Sequence, residues 1–233
     1  MTDSIQFDIQ PFGERGWLAR LSGFAGDVES GLFANAAADA IRLNEGVTDA
    51  VAGIDSVTMR FDPTLINAEM AMRTLSDAIE KTGRQSEASI TDKEIEIPVL
   101  YGGEAGPDLE LVCERNQLSP AEYVERHTRA SYRVITLGFA PGFTYLGPLD
   151  EKLQAPRLAT PRPRLTAGSV GVAGGFTGVY SLPSPGGWNI IGRTPHTLFD
   201  AQSPSPFFFK PGVSVRFRSI DETEFKKHSK QNI

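Results

Sequence analysis

Residues 138–192 hold 11 of the chain's 23 glycines and 7 of its 16 prolines, with short apolar runs between them. That density excludes long helices from the stretch. Proline lacks a backbone donor and clashes with the preceding helical turn, and glycine loses the most freedom on ordering. The runs that remain, "YRVITLGF", "GSVGVAGG", "TGVYSL" and "WNIIGRT", with "SVRFRSI" further on, are rich in β-branched and aromatic residues. Many short strands separated by turn residues describe an all-β barrel or sandwich, not alternating βαβ units.

The first 85 residues have a different texture. "IQFDIQPFGERGWLARLSG" is two alternating runs around residues 13–16, a hairpin pattern. "DVESGLFANAAADAIRLNEG" places Leu32, Ala36, Ala40 and Leu43 at helical spacings, with Asp27 or Ser30 as the N-terminal cap and Gly46 as a stop. "VTDAVAGIDSVTMRF" gives two more strands about residues 53–55. "TLINAEMAMRTLSDAIEKTG" gives a second helix, with Leu65, Met72, Leu75 and Ile79 on one stripe and Gly83 at its end. This order of elements describes a small α+β, ferredoxin-like domain over residues 1–85. Polar residues 86–92 read as a linker, 93–225 as the barrel domain and 226–233 as a polar tail. Within the second domain Asp108 opens a short helix. Ser119 opens another, with Glu122 completing a capping box and Pro120 at the first helical position.

The balance of 23 basic against 29 acidic residues, a net charge of -6, argues against nucleic acid or an anionic membrane as the partner. The single cysteine, Cys113, excludes an internal disulfide and reads as a core thiol in "DLELVCERN". His127, His196 and His228 form no ligand-like pair and no CxxC occurs, so no metal site is expected. The N-terminus carries no basic-apolar leader pattern and no run reaches about 18 apolar residues, which points to the cytoplasm.

Familiar catalytic signatures are missing. No GxxxxGK[ST] occurs, and glycines 171, 174, 175 and 178 do not follow GxGxxG. "AGSVG" around Ser169 falls short of GxSxG because Ala167 holds the first position. What remains is a set of side chains in stiffened loops. "GFAPGFTYLGPLD" holds Phe139, Phe143 and Tyr145 in fixed directions, either as a barrel cap or as the wall of a pocket or interface. "APRLATPRPRL" sets Arg157, Arg162 and Arg164 among Pro156, Pro161 and Pro163, and Arg193 follows in "IIGRTP". Arginines so placed suit bidentate binding of carboxylate or phosphate. The candidates for chemistry are His127, as general acid or base, with Arg157 and Ser169. Those for substrate contact are Phe143, Tyr145, Arg162, Thr177, Tyr180 and Arg193.

The motifs "YGGEAGPDLE", "LGFAPGFTYLGPLD", "APRLATPRPRLTAGSVGVAGGFTGVY", "SPGGWNIIGRTPHTLFD" and "FKPGVSVRF" occur in this order. Together they resemble the allophanate hydrolase subunit 1 family, also called the KipI-like family or the family of 5-oxoprolinase B subunits, from about residue 5 to 220. The resemblance implies an α+β domain followed by a cyclophilin-like β-barrel. It also implies partners: a larger subunit of related β fold (subunit 2, PxpC-like) and a LamB/YcsF-like, PxpA-type subunit.

Three activities attach to the family. The one expected here is ATP-dependent opening of 5-oxoproline to glutamate, by a complex whose members are inactive alone and share the nucleotide. The alternatives are the carboxyltransferase half of a urea carboxylase, with biotin on another chain, and inhibition of a sensor histidine kinase. Three positions depart from the family pattern. Phe176 stands where glutamine is common, and Thr166 and Ser181 stand where proline is usual.

Overall fold

The structure, a computed structural model, describes residues 5–83 and 94–231. The chain divides into two compact units, Met1–Ile90 and Thr91–Ile233. The expected linker at 86–92 lies outside the described residues.

The first unit runs β1 (Gln6–Pro11), β2 (Gly16–Ser22), α1 (Asp27–Arg42), β3 (Val47–Ala52), β4 (Ser56–Phe61) and α2 (Ala68–Thr82). Its antiparallel sheet has the order β1-β2-β4-β3, and both helices pack on it. The ββαββα order differs from the βαββαβ order of ferredoxin-like folds, with N-terminal β1 taking the edge beside β2.

The buried face of α1 is rotated from the expected stripe. Phe33, Ala34, Ala37, Ala38 and Ile41 are buried, whereas Leu43 is 88% exposed. The helix is so rich in alanine that its apolar residues do not mark one face. Phe33 and Ile41, about two turns apart, provide the large anchors. Neither Asp27 nor Ser30 caps it. The N-cap is Gly26, and the Glu29 carboxylate instead accepts the Ala25 N–H at 2.9 Å.

Leu65 likewise lies outside α2, which begins after Asn67, whose Oδ1 accepts the Met70 N–H at 2.9 Å. Asn67→Ala leaves that N–H without its partner and is expected to cost about 1 kcal/mol. A urea midpoint unchanged from wild type contradicts the cap. Gly83 ends α2 at φ 57°, as its place in the sequence predicted.

The second unit contains β5 (Glu94–Tyr101), α3 (Leu109–Asn116), α4 (Pro120–Arg129), β6 (Ser131–Leu137), β7 (Thr144–Gly147) and β8 (Arg162–Leu165). Then come β9 (Ser169–Ala173), β10 (Phe176–Val179), β11 (Ser184–Gly186), β12 (Asn189–Arg193), β13 (Ser214–Ser219) and α5 (Glu222–Gln231). Seven strands close a barrel in the order β10-β7-β6-β13-β5-β12-β9, and β8 pairs with β11 as a separate ribbon. The barrel fits the cyclophilin-like fold. Its interior is filled by side chains such as Val99, Val134, Leu146, Val172 and Phe217, so it is a packed core and not a channel. Cys113 on α3 belongs to that core, and burial pushes its thiol pKa up, which makes it a poor nucleophile.

The capping box of α4 is present with both of its bonds: Ser119 Oγ accepts the Glu122 N–H, and Glu122 Oε2 accepts the Ser119 N–H. Of the expected polar tail, 226–233, the described residues belong to α5. Asp221 accepts the Glu224 N–H at its start, and Glu224 is gripped through two bonds by Arg218 of β13. Charge spacing, not apolar burial, builds this helix. Among the described residues no helix is long and apolar enough to cross a membrane.

Candidate functional site

Five segments of the second unit surround one cavity of about 700 Å³. They are the loop 102–107 after β5, strand β8, the turn 166–169, the end of β12 and the first turns of α5. Arg162, Arg164, Arg193 and Lys226 line it, against Glu104 and Glu222. Four cations against two acids give a locally positive basin in a chain of net charge -6.

The loop 102–107 is held in place by its backbone. Gly102 N–H donates to Ile191 O at 3.1 Å and Asp108 N–H donates to Ile190 O at 2.9 Å. Gly106 lies so close to β12 that a Cβ there would collide with the Ile191 carbonyl. The Asp108 side chain completes the anchor. It is 4% exposed and accepts Arg162 Nη1 at 2.8 Å, Arg162 Nη2 at 2.7 Å and the Ile190 N–H at 2.7 Å. Arg162, expected to bind substrate, is therefore a strut: both arms of its guanidinium grip a buried carboxylate.

The other lining residues are less committed. Arg164 is exposed and makes no ion pair among the described residues. Arg193 donates from Nε to the Ala167 carbonyl at 3.2 Å, and its Cζ lies 5.8 Å from the centre of the Phe225 ring. Ser169 is buried at the cavity wall, and its hydroxyl donates to Thr166 O at 2.8 Å. With that proton on a backbone carbonyl and no base as partner, Ser169 is not an activated nucleophile.

His127 does not line the cavity. It is fully buried inside the barrel, stacked on Phe217 with ring centres 4.6 Å apart. Its Nδ1 lies 2.7 Å from the Tyr101 hydroxyl and its Nε2 lies 3.0 Å from Thr177 Oγ1, which donates to Gly171 O at 3.2 Å. Because the Thr177 proton goes to Gly171, Thr177 accepts from His127. The imidazole then carries its proton on Nε2, and Nδ1 accepts the Tyr101 proton. Burial lowers the His127 pKa to about 3, so the ring is neutral at any working pH. His127, a candidate acid or base from its place at the end of a helix, is with fully buried Thr177 part of a satisfied core network.

The aromatics of "GFAPGFTYLGPLD" form a third group. Phe143 is 2% exposed and meets Tyr145, Tyr180 and Trp188 edge to face at 4.8, 4.8 and 5.4 Å. Phe143 and Tyr180 are thus too buried for the substrate contact expected of them, and both belong to a cluster with Leu165, Trp188 and Ile190, whereas Phe139 of the same segment is 64% exposed. Tyr145 is half-buried against that cluster. Exposed Arg157 stands near enough for its charge to act on both tyrosines, away from the cavity lining.

The three unusual positions separate accordingly. Phe176 packs at right angles to Tyr145, and Ser181 Oγ donates to Pro141 O at 2.5 Å. Thr166 alone of the three lies on the cavity. Sequence reasoning missed Asp108 as an anchor, Tyr101 as the donor to His127, and Phe225 and Lys226 as a wall.

Residues 7–209 match the family described as carboxyltransferase domain, subdomains C and D. The chain belongs to this family. It is 35% identical over 240 residues to the 5-oxoprolinase B subunit of Bacillus subtilis (strain 168), covering 98% of this chain and 99% of that protein. It is 44% identical over 172 residues to the 5-oxoprolinase B subunit of Escherichia coli O157:H7, covering 73% and 77%. Among solved structures, TTHA0988 superposes with a TM-score of 0.75 at 34% identity over 89% of this chain. This chain spans 40% of that protein's length. The carboxyltransferase match covers every cavity segment up to Arg193 and stops before α5, so the wall made by Phe225 and Lys226 lies beyond the matched residues.

Proposed function

We propose that this chain is the B-type member of a cytoplasmic, ATP-dependent 5-oxoprolinase complex, opening 5-oxoproline to glutamate with a PxpC-like and a PxpA-like subunit and incomplete alone. The observation that carries the reading is the arginine-lined cavity built by the stretch shared with 5-oxoprolinase B subunits. A lactam carbonyl is a poor electrophile, and ATP, when bound, supplies a phosphoryl group that activates the amide oxygen. Arg164 and Arg193 provide positive charge where negative charge collects, and Arg162 with Asp108 keeps the facing wall rigid. His127 and Thr177 hold the barrel beneath without moving a proton to substrate. The arginines suit a phosphate, and they replace the backbone cradle that a P-loop would provide.

Co-expression with the partner subunits, followed by an assay for ATP-dependent glutamate release, tests this. Arg193→Ala is expected to lower kcat/KM about tenfold or more, the worth of one charge-assisted contact, in a complex that still assembles. An assembled wild-type complex that releases no glutamate overturns the reading. The family's description favours one second reading, carboxyl transfer from biotin carried on another chain. Carboxylation of urea by the same complex with a biotin carboxylase would establish it.

A further inference from the structure

We propose that α5 is an ionic latch: a lid on one side of the cavity, held shut by Arg218 of β13 through Glu224 and able to swing out from Ile220. The proposal concerns access to the cavity and rests on the 5-oxoprolinase reading only for that cavity being the working site.

The chain is firmly held up to the point where α5 begins. Ile220 is 7% exposed, and its N–H donates to the Val99 carbonyl at 3.0 Å. From Asp221 onward the bonds that start the helix are its own. The Asp221 carboxylate accepts the Glu224 N–H at 2.8 Å, and its carbonyl accepts the Phe225 N–H at 3.0 Å. None of the described side chains of α5 is buried, and Phe225 is the one large apolar residue in its sequence. The apolar face that fastens most short helices is therefore nearly absent.

Charge takes its place. Arg218 donates to both oxygens of Glu224, at 3.2 and 2.6 Å, and its Nε donates to Glu96 of β5 at 2.6 Å. Beside this clasp lie His228, 3.4 Å from Glu224, and His196, whose ring centre is 6.4 Å from that of His228. At the cavity, the Arg193 guanidinium stands over the Phe225 ring. The Glu222–Lys226 pair is internal to α5 and adds nothing to its docking. Arg218, Glu224 and Glu96 are all at least one-third exposed, so breaking the clasp strands no charge away from water. Arg218 then keeps Glu96, and Glu224 turns to solvent. Opening takes Glu222, Phe225 and Lys226 off the cavity and leaves Arg193 on its bond to the Ala167 carbonyl. Such a lid admits ligand when open and excludes water when shut.

Hydrogen exchange of the full-length chain, followed peptide by peptide, reads the latch without any turnover. A helix of 10 residues is marginal once it leaves its support, so its amides exchange when it undocks. Arg218→Gln and Glu224→Gln are each expected to speed exchange of the α5 amides about fivefold or more. The double variant should go no further than either single one. Arg218→Lys, which keeps the charge without the two-armed grip, should fall between. Raising the salt from about 0.05 to about 1 M should speed the wild type several-fold and Arg218→Gln hardly at all. Arg216→Gln, on the same strand but paired with Glu94, should leave α5 as in the wild type. Protection of the β12 and β13 amides in every variant verifies that the barrel is folded.

An α5 as protected in Arg218→Gln and Glu224→Gln as in the wild type overturns the latch. So does an α5 that exchanges only together with the barrel strands, which would make it a fixed wall. Unprotected α5 amides in the wild type overturn it too, since the lid would never be shut. No glutamate release from an assembled complex whose α5 opens as described would sink the 5-oxoprolinase reading and leave the latch standing. Release with an α5 that never opens would do the reverse.

Discussion

Asp108→Ala is expected to cost about 3 kcal/mol of unfolding free energy, the low end for breaking a buried ion pair, because Arg162 is partly exposed and can turn toward water. The substitution leaves more than one charge unanswered. Both arms of Arg162 lose their acceptor, and so does the buried N–H of Ile190. An orphaned buried donor bears its full desolvation penalty, so the loss exceeds that for a surface pair. The loop 102–107 loses its tie to β8 while keeping only its backbone bonds to β12. The companion variant Asp108→Leu with Arg162→Met removes both charges and should recover much of the loss. Urea unfolding of Asp108→Leu, of Arg162→Met and of the double variant gives the coupling. A loss below about 1 kcal/mol in Asp108→Ala, or simple additivity in the cycle, would show that the pair is not the anchor described.

What could be read from the sequence was whatever short-range chemistry decides. The strands of the barrel follow from β-branched runs between glycines and prolines, and the α4 capping box lies within four residues, 119–122. The hairpin between β1 and β2 and the Gly83 terminus of α2 are equally local. Helix α1 shows where periodicity loses its force, since alanine marks a helix without marking its buried face. Helix α5 was legible in principle: Asp221 starts it, and Glu222–Lys226 and Glu224–His228 pair at four-residue spacing. Its charged composition concealed that pattern.

The site was far less legible, because its contacts are distant in sequence. Asp108 meets Arg162 across 54 residues, and His127 meets Tyr101 across 26 and Thr177 across 50. An arginine following a proline has the same sequence signature whether it faces a cavity, as Arg164 does, or grips a buried aspartate, as Arg162 does. Rigidity alone does not tell a cavity wall from a buried aromatic cluster. Phe143 and Arg193, both in glycine- and proline-rich segments, ended in those two different places.

His127 provides the strongest pH dependence expected of the fold. Its pKa is about 3 in the folded protein, against about 6.5 when unfolded. The unfolded chain therefore takes up the proton first as pH falls. The stability contributed by keeping this ring neutral is complete above about pH 6.5 and is lost progressively toward pH 3, by up to about 1.4 kcal/mol per unit. Between pH 7 and 5 the loss amounts to about 2 kcal/mol. Burial also lowers the pKa of His196, with a further push from the charge of His228, and this contributes with the same sign. Tyr101 and Tyr132, which pack against the ring, stay neutral throughout because burial raises their pKa values. His127→Gln removes the titrating group while leaving His196 in place, so its stability should fall less steeply over that interval. Identical slopes for the two proteins would mean that the ring is protonated without unfolding. The same depression bears on catalysis: a group with pKa near 3, locked between Tyr101 and Thr177, cannot set an activity limb near neutral pH. If the assembled complex shows such a limb, the His127→Gln variant should retain it.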